Sequence, residues 1–206
     1  MKNQIEKYEL MEMRKMRSVI LMGIKHCGKS TQGRLLSKKL SLPFFDTDTL
    51  IEEATGKSPR RIYNECGADV FKKAELEACE KLSDELCAKG TSAVIATGGG
   101  ICTNPGAVEK LKALGRCVFL IADEKLAADR IVREVVTKED GELTNLPAYI
   151  ACKNPSSILE VRKIFHDFYV ERTKLYSRIA DLCVEMRQAS KEENLARILD
   201  ALNAAE

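Results

Sequence analysis

The residues from Gly23 to Ser30 form the pattern G-x-x-x-x-G-K-S, which is typical of a loop that binds the phosphates of a nucleoside triphosphate. Its two glycines allow the backbone to turn tightly, so that successive N–H groups can point at phosphate oxygens. Lys29 then has the reach to contact the β- and γ-phosphates, and the Ser30 hydroxyl is placed to hold Mg²⁺. The predicted nucleotide contacts come from Gly23, Lys25, Cys27, Gly28, Lys29, Ser30 and Thr31.

A phosphate-binding loop of this kind needs a buried strand before it and a helix after it. Residues 18–22 form a short apolar, β-branched run, and residues 31–39 place leucines at helical spacing. The context therefore disfavours a chance match in a Gly-rich turn. Cys27 lies inside the loop, where positive charge could make its thiol oxidisable; the alternative, which we favour, is that it fills a tolerant position.

Two carboxylates follow an apolar run in the stretch from Phe44 to Asp48. In an extended chain, Asp46 and Asp48 point to the same side. At the carboxyl end of a parallel strand, that side opens into the crevice where α/β sheets bind ligands. One acid could serve a metal and the other a substrate hydroxyl. Alternatively, Asp48 only caps a helix that begins near Thr49.

A third group of residues is the triplet Gly98-Gly99-Gly100, which follows the apolar run at residues 93–97. Without side chains, these residues let the backbone approach a ligand closely and offer it N–H groups. We expect a ligand-contacting role, and the alternative is a loose turn.

Short apolar runs alternate with helical patterns along the chain, which predicts a parallel β-sheet with helices on both faces. The predicted strands are Val19–Met22, Pro43–Asp46, Ala93–Thr97, Arg116–Ile121 and Leu182–Met186. A buried stripe at three- to four-residue spacing predicts a long helix over residues 68–88. Residues 137–155 are the least regular stretch, and we expect a mobile surface segment there.

Residues that start and stop helices support these boundaries. Thr49-x-x-Glu52 and Ser190-x-x-Glu193 match capping boxes, and Asp123 is predicted to cap a helix rather than to bind a metal. A capping residue precedes proline at Ser58-Pro59 and at Asn104-Pro105. The glycines at predicted helix ends are Gly56, Gly67, Gly90 and Gly115.

The composition fits one globular domain, since the chain has 206 residues of which 45% are hydrophobic and 31% are charged. Its 33 Lys and Arg against 31 Asp and Glu leave a net charge of +2, so no nucleic-acid partner is expected. Residues 1–17 resemble neither a signal peptide nor a membrane span, and we expect an N-terminal extension there and a single domain over 18–206. Eight scattered cysteines argue against a zinc site or a disulfide framework and fit a cytoplasmic protein.

From about Val19 onward, the chain resembles shikimate kinases. The matching pieces, besides the phosphate loop, are Asp46-Thr47-Asp48, the stretch from Ile51 to Ser58, Phe71 and Glu75 at the spacing of the family's E-x-x-F-R-x-x-E helix, the glycine triplet, and residues 171–176 as its R-x-x-x-Y stretch. This resemblance implies a three-layer P-loop fold of the nucleoside-monophosphate-kinase type with a five-stranded parallel sheet. It also implies phosphoryl transfer from ATP, with Mg²⁺, to the 3-hydroxyl of shikimate.

The resemblance further assigns roles to individual residues. Asp46 would serve Mg²⁺ with Ser30, whereas Asp48 would bind the substrate hydroxyls and remove a proton. Arg172 would bind the substrate carboxylate. Lys29 would stabilise the transferred phosphoryl group and Arg130 would pack near the adenine, while the pocket for the substrate would be lined by Gly98, Gly99 and Gly100.

The chain departs from the family's pattern at two positions. Lys72 stands where the family has an arginine for the substrate carboxylate, which keeps the charge and loses the two-pronged fork. In the lid, predicted over residues 137–163, Leu146 stands where the family has an arginine that reaches the phosphates. A basic residue from a longer lid could replace it, and the candidates are Arg133, Lys138, Lys153, Arg162 and Lys163.

The expected partners are ATP and a small hydroxylated acid, and the expected state is a monomer without membrane attachment. Two alternatives stay open: a kinase for another hydroxylated acid such as gluconate, and a nucleotide-binding relative with weak or no kinase activity. His26 is predicted to be a spacer in the loop, and His166 to have a packing or surface role.

Overall fold

The computed structural model describes residues 17–205, so the predicted extension lies outside the described residues except for Arg17. The strands in this range are β1 Ser18–Met22, β2 Phe44–Asp46, β3 Val94–Ala96, β4 Gly115–Ile121, β5 Val136–Thr137, β6 Leu143–Thr144 and β7 Leu182–Glu185. The helices are α1 Lys29–Leu40, α2 Thr47–Thr55, α3 Pro59–Cys66, α4 Ala68–Lys89, α5 Pro105–Leu114, α6 Glu124–Glu134, α7 Ala148–Ala151, α8 Ile158–Ile179 and α9 Lys191–Asn203. A single 3₁₀ turn spans Ile101–Thr103.

Five strands form one parallel sheet in the order β2-β3-β1-β4-β7, which confirms the predicted strands to within one or two residues at each end. The centre of the sheet is apolar on both faces: Ile20 pairs with Ile95 and Cys117, and all three side chains are fully buried. Strands that are buried on both faces of a sheet are formed by continuous runs of apolar residues such as Val, Ile and Leu. Because the strands are parallel, the ends of β1, β2 and β3 meet at one edge of the sheet.

The helix after β2 begins three residues earlier than the capping pattern predicts. Asp46 is its N-cap, and the Asp46 Oδ1 accepts a hydrogen bond of 3.1 Å from the Asp48 N–H. The predicted box at Thr49 and Glu52 is therefore wrong, and so is the extended geometry that put Asp46 and Asp48 on one side of a strand. An aspartate at the end of the strand already satisfies a free N–H group of the first turn, so the helix starts there.

Most of the other predicted helix ends are confirmed. Ser58 and Asp123 accept hydrogen bonds at N-caps, and Ser190 forms the full capping box. Gly56 and Gly90 end helices in the left-handed conformation, with φ of 69° and 60°.

Two residues predicted to cap or stop helices, Asn104 and Gly115, stand at helix ends for a different physical reason. Asn104 stands before Pro105 at the start of α5 but makes no capping hydrogen bond with its side chain. Gly115 has an extended backbone and begins β4, where a Cβ atom would lie 1.9 Å from the Ser18 carbonyl oxygen. Close approach of β1 and β4, rather than a helix stop, requires glycine at this position.

The predicted lid contains more regular structure than its composition suggests. Strands β5 and β6 form an antiparallel hairpin, and α7 follows it. Leu146 and Ile150 are buried, with exposed fractions of 4% and 0%. These two apolar side chains hold the segment against the main core.

Candidate active site

The loop between β1 and α1 has the geometry that its sequence pattern predicts. Gly23 has a φ of 145°, and a Cβ atom there would lie 2.7 Å from the Leu120 carbonyl oxygen. Gly28 has a φ of 96° and immediately precedes α1. Both positions require glycine, because one combines positive φ with close packing and the other places a left-handed residue at the helix start.

Lys29 is the first residue of α1 and is buried, with an exposed fraction of 8%. Its Nζ donates hydrogen bonds to the carbonyl oxygens of Gly23 at 2.9 Å and Ile24 at 2.8 Å, and it lies 3.7 Å from the Cys27 Sγ. The ammonium group is thus held in the concave side of the loop, where the pattern places phosphate oxygens.

A cleft of about 800 Å³ extends from this loop towards the start of α9. It is lined by the loop residues His26, Cys27 and Gly28, by Thr31 and Gln32 of α1, by Arg130 and Arg133 of α6, and by residues 186–189. Arg130 Nη1 donates a hydrogen bond to the His26 carbonyl oxygen. The predicted nucleotide residue Arg130 therefore lies beside the phosphate-binding loop.

His26 and Lys25 connect the loop to the end of α6. Lys25 Nζ lies 3.7 Å from Glu134 Oε2, and His26 Nε2 lies 3.6 Å from Glu134 Oε1. Burial lowers the pKa of His26, and the neighbouring Lys25 lowers it further, against an opposing effect of Glu134. His166 lies on the surface, where its Nδ1 is 2.7 Å from Glu124 Oε1.

Ser30 and Asp46 meet at the edge of the sheet. The Ser30 hydroxyl donates a hydrogen bond of 2.7 Å to Asp46 Oδ2. A hydroxyl and a carboxylate beside a phosphate-binding loop are ligands that suit Mg²⁺, which takes one or two carboxylates together with phosphate oxygens and water. Within residues 17–205, no three His, Cys, Asp or Glu side chains gather into a metal-binding group.

Asp48 lies in the first turn of α2 and faces the glycine triplet. A Cβ atom on Gly98 would lie 2.7 Å from Asp48 Oδ1, and the Gly98 N–H donates a hydrogen bond of 2.9 Å to Thr47 Oγ1. Solvent reaches Asp48 from the open side, yet desolvation by the surrounding protein raises its pKa, and repulsion from Asp46 raises it further. Lys29 and Lys25 act in the opposite direction.

The glycine triplet is explained mainly by contacts within the protein. Gly98 makes room for Asp48, and a Cβ atom on Gly99 would lie 2.9 Å from the Lys25 backbone nitrogen. Gly100 has open space around it, and its carbonyl oxygen accepts a hydrogen bond of 3.4 Å from Arg172 Nη1. The triplet therefore joins the phosphate loop, Asp48 and Arg172 into one site.

Arg172 reaches this site from α8. Its Nη1 lies 3.2 Å from Cys102 Sγ, and its guanidinium carbon lies 4.9 Å from the centre of the Phe168 ring. The ring of Tyr149, in the predicted lid, stacks on the Phe168 ring, and the two ring centres lie 3.7 Å apart. Arg172 Nε and the Tyr149 hydroxyl are buried and have no hydrogen-bond partner among the described residues.

Glu75 and Asn104 form a buried polar pair that the sequence did not reveal. Glu75 is 1% exposed, and its Oε2 accepts a hydrogen bond of 2.9 Å from Asn104 Nδ2, which also donates to the Lys72 carbonyl oxygen at 2.8 Å. Burial raises the pKa of Glu75 to about 7, against the hydrogen bond from Asn104, which lowers it. The predicted substrate residue Lys72 is itself exposed on α4.

The lid position where the resemblance expects an arginine faces the core. Leu146 is buried, and its carbonyl oxygen accepts a hydrogen bond of 2.7 Å from Arg60 Nη2 of α3; Arg60 Nη1 also donates to Asn145 Oδ1 at 3.1 Å. Sequence reasoning missed Arg60, which ties the lid to α3 across 86 residues of chain.

Of the five basic residues considered as replacements, Arg133 is the one that lines the cleft beside the phosphate-binding loop. Arg162 is instead paired with Asp129 at 2.6 Å, and Lys138 is paired with Glu142 in the hairpin. Lys153 and Lys163 are not among the residues that line the cleft.

Comparison with known proteins places these features in a family. A family model described as shikimate kinase matches residues 25–203. A shikimate kinase of Clostridium botulinum is 33% identical over 186 residues, which cover 90% of this chain and 96% of the relative. A shikimate kinase of Syntrophus aciditrophicus is 33% identical over 185 residues, with 89% of each chain covered.

Solved structures show the same fold. Shikimate kinase from Acinetobacter baumannii in complex with shikimate matches with a TM-score of 0.76 at 25% identity, over 95% of this chain and 97% of the other. Shikimate kinase from Aquifex aeolicus matches with a TM-score of 0.65 at 28% identity, over 91% and 97% of the two chains. The expected nucleoside-monophosphate-kinase-like P-loop fold is thereby confirmed. Within residues 17–205, no helix combines the length and apolar character needed to cross a membrane.

Proposed function

The chain belongs to the shikimate kinase family, and from this membership we propose that it transfers the γ-phosphoryl group of ATP to the 3-hydroxyl of shikimate. The observation that carries the proposal is the convergence of four features at one edge of the sheet. These are the phosphate-binding loop, the pair formed by Ser30 and Asp46, the Asp48 carboxylate, and the Arg172 guanidinium.

On this proposal, the loop and Lys29 hold the nucleotide. Binding of ATP would draw the Lys29 ammonium from the Gly23 and Ile24 carbonyl oxygens to the β- and γ-phosphates, which are stronger acceptors because they are charged. The cleft beside Arg130 would take the nucleoside. Ser30 and Asp46 would hold Mg²⁺, which supplies positive charge against the β- and γ-phosphates when bound.

Asp48 is the proposed proton acceptor for the attacking hydroxyl. Its raised pKa brings it closer to the working pH than an ordinary aspartate, and this favours general base catalysis. Its place next to Gly98 supports contact with a substrate bound beside the glycine triplet, which Arg172 also contacts. Proton removal is assigned to Asp48 rather than Asp46, because Asp46 is already hydrogen-bonded to Ser30 and to the first turn of α2.

Arg172 is the proposed partner of the substrate carboxylate. Its Nε is a buried donor without a partner among the described residues, and a carboxylate accepts two parallel hydrogen bonds from a guanidinium group. Lys72 would add a second positive charge from α4. A lysine there selects a carboxylate less strictly by geometry than an arginine.

The named relatives are shikimate kinases, which favours shikimate over gluconate. An assay that couples ADP release to a colour change, run with shikimate, quinate and gluconate, tests the proposal. We expect turnover with shikimate well above the other two acids. ATP binding without turnover of any of them would favour the alternative of a nucleotide-binding relative. A cytoplasmic, monomeric enzyme remains part of the proposal, and the eight free cysteines agree with a reducing compartment.

A further inference from the structure

Arg60 lies in the first turn of α3 and binds two neighbouring residues of the lid. Its Nη2 donates a hydrogen bond of 2.7 Å to the Leu146 carbonyl oxygen, and its Nη1 donates one of 3.1 Å to Asn145 Oδ1. The two donors belong to one planar guanidinium group, so they fix both acceptors relative to α3. We call these three residues the lid latch.

Asn145 ties the latch to a second helix. It has a φ of 59°, and its Nδ2 donates a hydrogen bond of 2.8 Å to the carbonyl oxygen of Glu134, the last residue of α6. Carbonyl groups at the end of a helix lack partners within the helix, so this bond satisfies one of them. The chain that enters the lid is therefore joined to α3 on one side and to α6 on the other.

The segment that follows the latch reaches the proposed carboxylate-binding residue. Helix α7 begins two residues after Leu146, and its Tyr149 ring stacks on the Phe168 ring of α8. The same Phe168 ring lies 4.9 Å from the guanidinium carbon of Arg172. Tyr149 thus supports the ring against which Arg172 packs, and the position of α7 decides whether this support is present.

Apolar packing alone does not fix where α7 sits. Leu146 and Ile150 are buried in the core, but burial of apolar surface is not directional. The hydrogen bonds of Arg60 are directional, and they are made at the surface, because Arg60 and Asn145 are exposed. Water can replace such bonds when the lid moves, so the latch can open without leaving buried groups unpaired.

We propose that Arg60 is a positioning residue, which holds the lid where Tyr149 packs on Phe168 and so keeps Arg172 oriented for the carboxylate of the substrate. The part that concerns affinity rests on the proposed function, in which Arg172 binds the carboxylate of shikimate. Within residues 17–205, the latch residues are not among those that line the cleft beside the phosphate-binding loop. The latch should therefore affect the binding of shikimate and not that of ATP.

The variant Arg60→Met tests the proposal, and Arg61→Met is its matched control. Arg61 is the next residue of the same helix and is also exposed, but its Nε donates to Glu65 Oε1 at 2.6 Å within α3. A hydrogen bond from a charged donor corresponds to about a tenfold change in an equilibrium constant. In calorimetry, we expect Arg60→Met to bind shikimate about tenfold more weakly and ATP with unchanged affinity. Arg60→Lys keeps the charge without the fork and should lie between, whereas Arg61→Met should bind both ligands like the wild-type protein.

Hydrogen exchange of the backbone amides of residues 143–152 tests the latch without any substrate. In Arg60→Met these amides should exchange about tenfold faster, while those of β1 and β3 keep their wild-type rates. Unchanged exchange in the lid would overturn the proposal, and so would a loosened lid with unchanged affinity for shikimate. A loss of affinity for both ligands would show a general structural role instead. Failure of the proposed function is distinct, because the wild-type protein would then not bind shikimate, and the exchange rates would still decide whether Arg60 holds the lid.

Discussion

Asn104 Nδ2 donates a hydrogen bond of 2.9 Å to Glu75 Oε2, and this pair lies buried between α4 and the start of α5, beside the glycine triplet. Asn104 has the sequence context of a helix cap, but its side chain donates hydrogen bonds to Glu75 and to the Lys72 carbonyl oxygen instead. The hydrogen bond gives the Glu75 carboxyl group a defined partner, while burial, with a smaller contribution from repulsion by Asp48, raises the pKa of Glu75.

The first prediction concerns the stability of the fold as a function of pH. The pKa of Glu75 is raised from 4.5 to about 7, so the folded protein holds a proton that the unfolded chain has lost. Between these two values, stability falls as pH rises, by roughly 3 kcal/mol in total. Glu75→Gln, which mimics the protonated acid, should lack this decrease. Urea unfolding at pH 5 and pH 8 should show similar stability at the lower pH and a more stable variant at the higher pH. A constant difference between the two proteins would contradict the assigned pKa.

The second prediction is that Lys29→Ala abolishes phosphoryl transfer and leaves the protein folded. Among residues 17–205, the hydrogen bonds of the ammonium group go to the loop carbonyl oxygens of Gly23 and Ile24 and to the Cys27 thiol, so its removal costs about 1–3 kcal/mol of stability. ADP release should fall below detection, while circular dichroism stays that of the wild-type protein. Near-normal turnover would show that the loop does not act on the transferred phosphoryl group.

The third prediction separates the two aspartates. Asp48→Asn should lower turnover by about 10²–10⁴ with little change in ATP affinity, because an amide binds hydroxyl groups but cannot take their proton. Asp46→Asn is the matched control, and it should weaken Mg²⁺-dependent nucleotide binding through its contact with Ser30. If Asp48→Asn weakened ATP binding and kept normal turnover at saturation, the two roles would have to be exchanged.

The fourth prediction concerns the arginine that the lid lacks. Arg133 lines the cleft beside the phosphate-binding loop, so Arg133→Met should lower turnover by about 10³ if it supplies the charge on the transferred group. Lys138→Met and Arg162→Met are controls, because both side chains are paired on the surface with acids of their own, and such pairs contribute little. Equal turnover in all three variants would show that none of them replaces the arginine. Leu146 cannot be converted into that arginine without cost, since its side chain is buried in the core.

The sequence by itself determined the elements that depend on local patterns. The strands were predictable because a parallel sheet buries both faces and so demands continuous apolar runs, as in β1 and β3. The phosphate-binding loop was predictable because its glycines and lysine act within eight residues of each other. The caps at Ser58, Asp123 and Ser190 satisfy N–H groups two or three residues away, and that chemistry is also local.

Only the tertiary structure decided the pairing of polar groups that are distant in the sequence. Asn104 meets Glu75 across 29 residues, and Gln32 meets Lys191 across 159 residues. Burial forces such groups to find partners, but several partners satisfy the same donor equally well, so residue type does not identify which one is used. Gln32 could have been found to be buried, because it follows Lys29 and precedes Leu36 at helical spacing, and these residues share the inner face of α1. Its partner follows from where α9 packs.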